Sequence, residues 1–171
     1  MNATKKLQSI AYHEAGHAVM AWWHGLAIRK ATIVPHKDYL GSVTHFKKLL
    51  PTDETDLRPS QRDLLERRIM VLLSGPEAER KFRGHYSHKG SGHDRHYAFD
   101  HLASLTGPSE DELNTYMKLL WLRTRRILDF APVWACVTAV ANALLEKRSL
   151  TGSEIKALIA EREGLTGKEP D

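Results

Sequence analysis

Apolar positions near the start of the chain recur at spacings of three and four. Leu7, Ile10, Ala11, Ala18, Val19 and Trp22 fall on one side of a 3.6-residue period, and Gly25 stands where a helix would stop. That pattern predicts a helix over residues 5–24. The period then changes. Residues 27–34 are rich in β-branched side chains and predict a strand, residues 35–38 a turn, and residues 39–46 a second strand, together a hairpin. Pro51 to Pro59 is polar and reads as a loop. Ser60 followed by Asp63 opens a helix to about Leu73, which Gly75-Pro76 should interrupt before a further helical piece to about Phe82. Gly84 to Gly92 is a loop of Gly, His and Ser, and helical periodicity returns from His93 to about Leu105. Two capping boxes, Ser109 with Glu112 and Thr151 with Glu154, open helices reaching about Leu128 and Glu163. Between them residues 131–147 form an apolar helix. The sum is a mainly α (α+β) chain with one small β-hairpin. Residues 1–165 are expected to form a single domain and residues 166–171 a disordered polar tail.

Composition narrows the class. The chain has 171 residues, of which 42% are hydrophobic and 27% charged, ordinary values for a globular protein with a real core. No internal repeat stands out. No apolar run approaches the roughly 20 residues of a membrane-spanning helix, and Met1 to Lys6 is too polar for a signal peptide core. These features predict a cytoplasmic protein without membrane insertion. The one cysteine, Cys136, lies in an apolar helical run and reads as a small core residue. The net charge of +4 is mild, and the basic clusters at Arg67-Arg68 and Arg123 to Arg126 have acidic residues nearby, which predicts solvated helix faces and not a nucleic-acid surface. Ten histidines are the anomaly.

His13-Glu14-Ala15-Gly16-His17 matches H-E-x-x-H inside the strongest helical segment. Residues four apart lie one above the other on a helix, so both imidazoles can reach a single ion. Glu14 then points toward the same cavity and can take a proton from water without ligating the metal. A pair of neutral imidazoles suits Zn2+. A catalytic zinc needs a third protein ligand and an open position. The metzincin extension would require Gly at position 20 and His at position 23, but these hold Met20 and Trp23, and His24 is one residue out of register. The remaining candidates are Glu77, Glu79 and Asp94, with His85, His88, His93 and His96 close enough in sequence to compete. His24 is expected near the pocket rim, His36 in a solvated turn, His45 on the second strand and His101 on a helix surface, none of them a ligand. Trp22, Trp23, Trp121 and Trp134 read as core packing or oligomer contacts.

The segment Ala11 to Ala18 resembles the zinc helix of the FtsH-type peptidase domain of the membrane AAA proteases. Further segments are similar to that family in the same order: Lys30 to Pro35 with Leu40 to Val43, Leu73 to Glu79, Gly90 to Asp94, and Asn142 to Gly152. The resemblance implies a helical zincin-like domain with its small sheet beside the H-E-x-x-H helix. It implies zinc as cofactor, Asp94 as third ligand, and Glu79 on the helix behind the site, orienting an imidazole. In place of the family's usual Asn before that aspartate stands His93. No G-x-x-x-x-G-K-[ST] occurs, so the expected activity is zinc-dependent endopeptidase cleavage of flexible or unfolded polypeptides without an ATPase of its own. The second strand, residues 39–46, would pair with extended substrate. The alternatives are a non-catalytic zinc-binding adaptor or regulator, and a peptidase subunit dependent on a separate ATPase. A homo-oligomer is a further expected partner state.

Overall fold

Helix α1 (Ala3–Trp23) carries the first apolar stripe. It closes in a Schellman motif: Leu26 N–H donates to Ala21 O at 2.8 Å and Gly25 N–H to Trp22 O at 2.9 Å, with Gly25 at φ 68°. That left-handed turn delivers the chain into strand β1 (Ile28–Thr32), which pairs antiparallel with β2 (Ser42–His45). The computed structural model describes residues 3–35, 41–45, 59–86, 92–106 and 109–166. The expected turn at 36–38, the start of the second strand at 39–40, the loop at 51–58 and the end of the tail at 167–171 lie outside the described residues.

The sheet holds one strand more than the sequence predicts. β3 (Ser149–Thr151) pairs antiparallel with the other edge of β1, giving the order β2-β1-β3. Three residues are too few for an alternating pattern to register. The strand exists because Arg148, at φ 67°, closes the preceding helix in a left-handed turn and offers its carbonyl to Ile33 N–H at 2.9 Å.

Helix α2 runs unbroken over Pro59–Arg83, with Pro76 inside it. The expected interruption at Gly75-Pro76 is therefore wrong. An internal proline removes one helical hydrogen bond and costs roughly 3 kcal/mol, but residues Leu73 to Glu79 are all buried, so tertiary packing outweighs the local penalty. One carbonyl in the preceding turn, Val71 O, accepts both Ser74 Oγ at 2.6 Å and His17 Nδ1 at 2.7 Å.

Helices α3 (Gly92–Thr106), α4 (Glu110–Asp129), α5 (Ala131–Lys147) and α6 (Gly152–Thr166) complete the chain. Both expected capping boxes help open their helices. Ser109 accepts from Glu112 N–H at 3.3 Å, and Thr151 and Glu154 cap each other reciprocally at 3.3 and 2.8 Å. Helices α4 and α5 meet at 80° across Phe130. Among the described residues no single helix is long and apolar enough to cross a membrane. Buried side chains form two clusters, one centred on α1, β1, α5 and α6, the other on α2, α3 and α4. Helix α2 contributes to both, through Val71 and Ala78 on one side and Leu65, Ile69 and Leu73 on the other. It packs on α1 so closely that a Cβ at Gly16 would stand 2.7 Å from Ser74 O.

Candidate metal centre

Three helices converge where α1 crosses α2. His13 and His17 project from one face of α1 and are 9% and 7% exposed. Their Nε2 atoms lie 3.1 Å apart, and Oδ2 of Asp94, in the first turn of α3, lies 3.0 Å from the first and 3.5 Å from the second. Ligands held about 2.0–2.1 Å from one tetrahedral ion stand roughly 3.3–3.4 Å from one another. The observed triangle brackets that spacing, so the donor set fits zinc without rearrangement. Among the described residues no other group of three His, Cys, Asp or Glu side chains brings its ligand atoms this close.

The outer nitrogens are fixed. His17 Nδ1 donates to Val71 O at 2.7 Å, which leaves the Nε2 lone pair facing the centre. His13 Nδ1 faces Glu79 Oε2 at 3.4 Å, and the other oxygen of Glu79 accepts Arg83 Nη1 at 2.8 Å. Glu79 thus stands behind the His13 ring and not among the inner atoms, an arrangement that orients the imidazole. The electrostatics favour positive charge at the centre. Burial lowers the pKa of His13, but Asp94 and Glu79 outweigh it and hold the imidazole at about 10. Burial raises the Asp94 carboxyl, yet His17 and His13 bring it well below the usual carboxylate range. Glu79 is likewise held low, its burial being overcome by His13 and Arg83.

Glu14 is 5% exposed, beside the two histidines. Burial raises its pKa; His13 and His17 oppose that and Asp94 adds to it. A carboxyl raised this way is better matched to passing a proton near neutral pH. Its carboxylate lies against Gly41, immediately before β2, so closely that a Cβ there would stand 2.6 Å from Oε1. A second backbone approach is closer still: a Cβ at Gly75 of α2 would meet His17 Nε2 at 2.3 Å and His13 Nε2 at 2.8 Å.

The other candidates fall away from the centre. Glu77 turns toward α4 and accepts from Trp121 Nε1, Tyr86 Oη, Arg125 and Arg80. His93 and His96 are exposed on α3, and His96 lies 3.5 Å from Asp100. His85 lies 3.1 Å from Arg83 Nη2. His24, expected at the pocket rim, instead lines a separate groove with Arg67 and Arg126, and His101, expected on a helix surface, is half-buried. His36 and His88 lie outside the described residues. Sequence reasoning missed Arg83, Gly75 and the Val71 carbonyl. The i, i+4 spacing from Glu79 to Arg83 was the one available signal.

Comparisons with known proteins bear on the family of the chain. The profile of peptidase family M41 matches residues 1–100. The chain is 30% identical over 181 aligned residues to the "ATP-dependent zinc metalloprotease FTSH 9, chloroplastic/mitochondrial" of Oryza sativa subsp. japonica, a match covering 91% of this chain and 22% of that protein. It is 35% identical over 82 residues to an "ATP-dependent zinc metalloprotease FtsH" of Marinobacter nauticus, covering 47% of this chain and 12% of the relative. A protein of the same name from Opitutus terrae is 38% identical over 86 residues, covering 48% and 13%. The chain thus spans less than a quarter of the length of these relatives. With the matched profile covering more than half the sequence, the chain belongs to peptidase family M41.

Proposed function

We propose that this chain is a zinc-dependent endopeptidase in which His13, His17 and Asp94 hold the metal and Glu14 is the general base. The observation that carries the proposal is the triangle of His13 Nε2, His17 Nε2 and Asp94 Oδ2 with a buried carboxylate beside it. When bound, zinc supplies Lewis acidity, polarising a carbonyl and making water a nucleophile near neutral pH. The protein does the rest. Glu14 accepts the proton of the attacking water on a carboxylate oxygen and returns it to the departing amine. The two imidazoles are pre-oriented, His17 by Val71 O and His13 by Glu79, so neither ring needs to turn when metal binds.

The sheet supports a polypeptide substrate. In the order β2-β1-β3, β2 has one edge on β1 and the other unpaired among the described residues. An extended peptide can add to such an edge by main-chain hydrogen bonds, and Gly41 places the start of β2 against Glu14. Pairing of this kind requires an unstructured segment, which points to flexible or unfolded substrates. The relatives are named ATP-dependent, which keeps dependence on a separate ATPase as the second reading.

The test takes the purified chain, measures bound zinc and assays casein beside a stably folded protein, with and without ATP. Casein cleavage that ATP does not change, with the folded protein spared, is the expected result. Glu14→Gln should keep fold and zinc and lose hydrolysis, since the amide has the same shape and accepts no proton. Cleavage only when a separate ATPase is added would favour the second reading. Near-parental turnover in Glu14→Gln would remove Glu14 as the base. A zinc-loaded chain that never cuts, alone or with an ATPase, would leave a non-catalytic zinc-binding protein.

A further inference from the structure

Asp94 is the one inner residue that does not come from α1. It reaches the histidines from the first turn of α3, at the end of a segment that leaves α2 at Arg83. Its position depends on how α3 is seated, through the buried Ala98 and Leu102, and on what holds the first turn of that helix. Two residues flank the stretch, and both dock on the same side chain of α4. Before it, Tyr86 meets Trp121 edge to face, with ring centroids 6.1 Å apart at 78°. After it, Arg95, next to Asp94 in sequence, lies over the Trp121 ring with its Cζ 5.1 Å from the centroid.

Behind Trp121 stands Glu77, which is 1% exposed. One of its oxygens accepts both the Trp121 Nε1–H and the Tyr86 hydroxyl, and Arg125 Nη2 approaches it at 3.4 Å. The other accepts Arg125 Nε at 3.2 Å and Arg80 Nε at 2.8 Å. Arg125 Nη2 also donates to the Tyr86 hydroxyl at 2.8 Å. A buried carboxylate with this many donors is a rigid anchor. Nothing in the catalytic scheme uses it. Its physical effect is to tie α2, α4 and both flanks of the Asp94 segment to one point.

We propose that Trp121, anchored by Glu77, is a positioning residue for Asp94: it clamps Tyr86 and Arg95 on either side of the segment and so holds the Asp94 carboxylate against His13 and His17. The proposal rests on the reading of Asp94 as a metal ligand. It differs from the role of Glu79, which orients a histidine by direct contact. Trp121 packs on Tyr86 and Arg95 and is held by Glu77, so its effect on the ligands passes through those two neighbours.

The test uses the full chain with Tyr86→Leu and Arg95→Met combined, which removes the ring on one side of Trp121 and the cation on the other. Glu77 keeps Trp121, Arg125 and Arg80 as donors when the Tyr86 hydroxyl is lost, so the double variant should still fold while both flanks are released. Zinc affinity is measured by competition with a chromogenic chelator, and thermal unfolding is measured on the metal-free protein. Supporting contacts of this kind set metal affinity by about 10–100-fold, so the double variant should bind zinc at least about 10-fold more weakly while the metal-free protein still unfolds in one cooperative transition. With Co2+ in place of zinc, its visible absorption should shift toward that of Asp94→Ala, a change that a purely structural role would not produce. Parental zinc affinity and a parental Co2+ spectrum in the double variant, with Asp94→Ala impaired, would overturn the positioning role alone. Parental affinity in Asp94→Ala itself would overturn the ligand reading and this inference with it.

Discussion

At the scale of single residues, the centre divides into what one helix determines and what the fold must bring. His13, Glu14 and His17 were legible because their geometry is local: an i, i+4 pair on a helix shares a face whatever surrounds it. The third position was not. Glu77 and Glu79 are two residues apart on α2, so their side chains point about 200° away from each other. Only one can face the histidines, and spacing alone cannot say which. The structure turns Glu79 to the His13 ring and Glu77 to α4. The resemblance to the FtsH-type domain, not periodicity, singled out Asp94. Gly75 was equally illegible, because its role is a contact with another helix. A methyl group there would stand 2.3 Å from His17 Nε2, and the ring cannot retreat while Nδ1 is bonded to Val71 O. Gly75→Ala should therefore cost about 1–3 kcal/mol of stability and reduce zinc content. Gly92→Ala, where an added Cβ meets nothing within 4 Å, should change stability by no more than about 0.5 kcal/mol. Urea midpoints and metal analysis of the two variants check this. A zinc-replete, fully stable Gly75→Ala would show that α2 can move off the histidines.

At the scale of elements, sequence signals worked where the cause was local and failed where packing or a turn decided. The capping boxes at Ser109 and Thr151 mark true helix starts because the groups that satisfy the orphan N–H donors lie within four residues. Proline 76 misled because its penalty is local while its compensation, a buried stretch of α2 against two clusters, is not. Strand β3 was invisible because its cause is Arg148, a residue type that rarely takes a left-handed conformation. Most helices closing this way use glycine, as α1 does with Gly25. Arg148→Gly should relieve the strained φ of 67° while keeping the Arg148 N–H to Leu144 O bond of 2.8 Å and the carbonyl contact to Ile33. The greater freedom of glycine in the unfolded chain offsets part of the gain, so the net stabilisation should be about 0.5–1 kcal/mol. A melting temperature that falls in the variant would mean that the arginine side chain makes a contact worth more than the strain.

At the scale of the whole molecule, α2 is the wall shared by both apolar clusters, and Glu77 is the more deeply buried of its two buried carboxylates. This carboxylate makes the stability of the metal-free protein depend on pH in a definite direction. Burial would raise its pKa, but the hydrogen bonds from Arg125, Tyr86, Trp121 and Arg80 outweigh burial and hold it below its ordinary 4.5. A group whose folded pKa is depressed stabilises the fold fully above its unfolded pKa, and that contribution disappears as pH falls through the folded value. Glu77→Gln keeps the shape and removes the titration. Its amide nitrogen would face the donors that the carboxylate now accepts from, and at pH 7 the loss should be about 1–3 kcal/mol. The difference between parent and variant should hold above about pH 5 and shrink steadily toward pH 3, because the parent loses the same contribution once Glu77 is protonated. Urea unfolding in the presence of a chelator, across that pH range, measures it. Other carboxylates, Glu79 among them, titrate in both proteins and cancel in the comparison. A difference that stays constant from neutral to acid pH would mean that the Glu77 charge contributes nothing to the fold, and one that grows on acidification would mean that the fold disfavours the charged form.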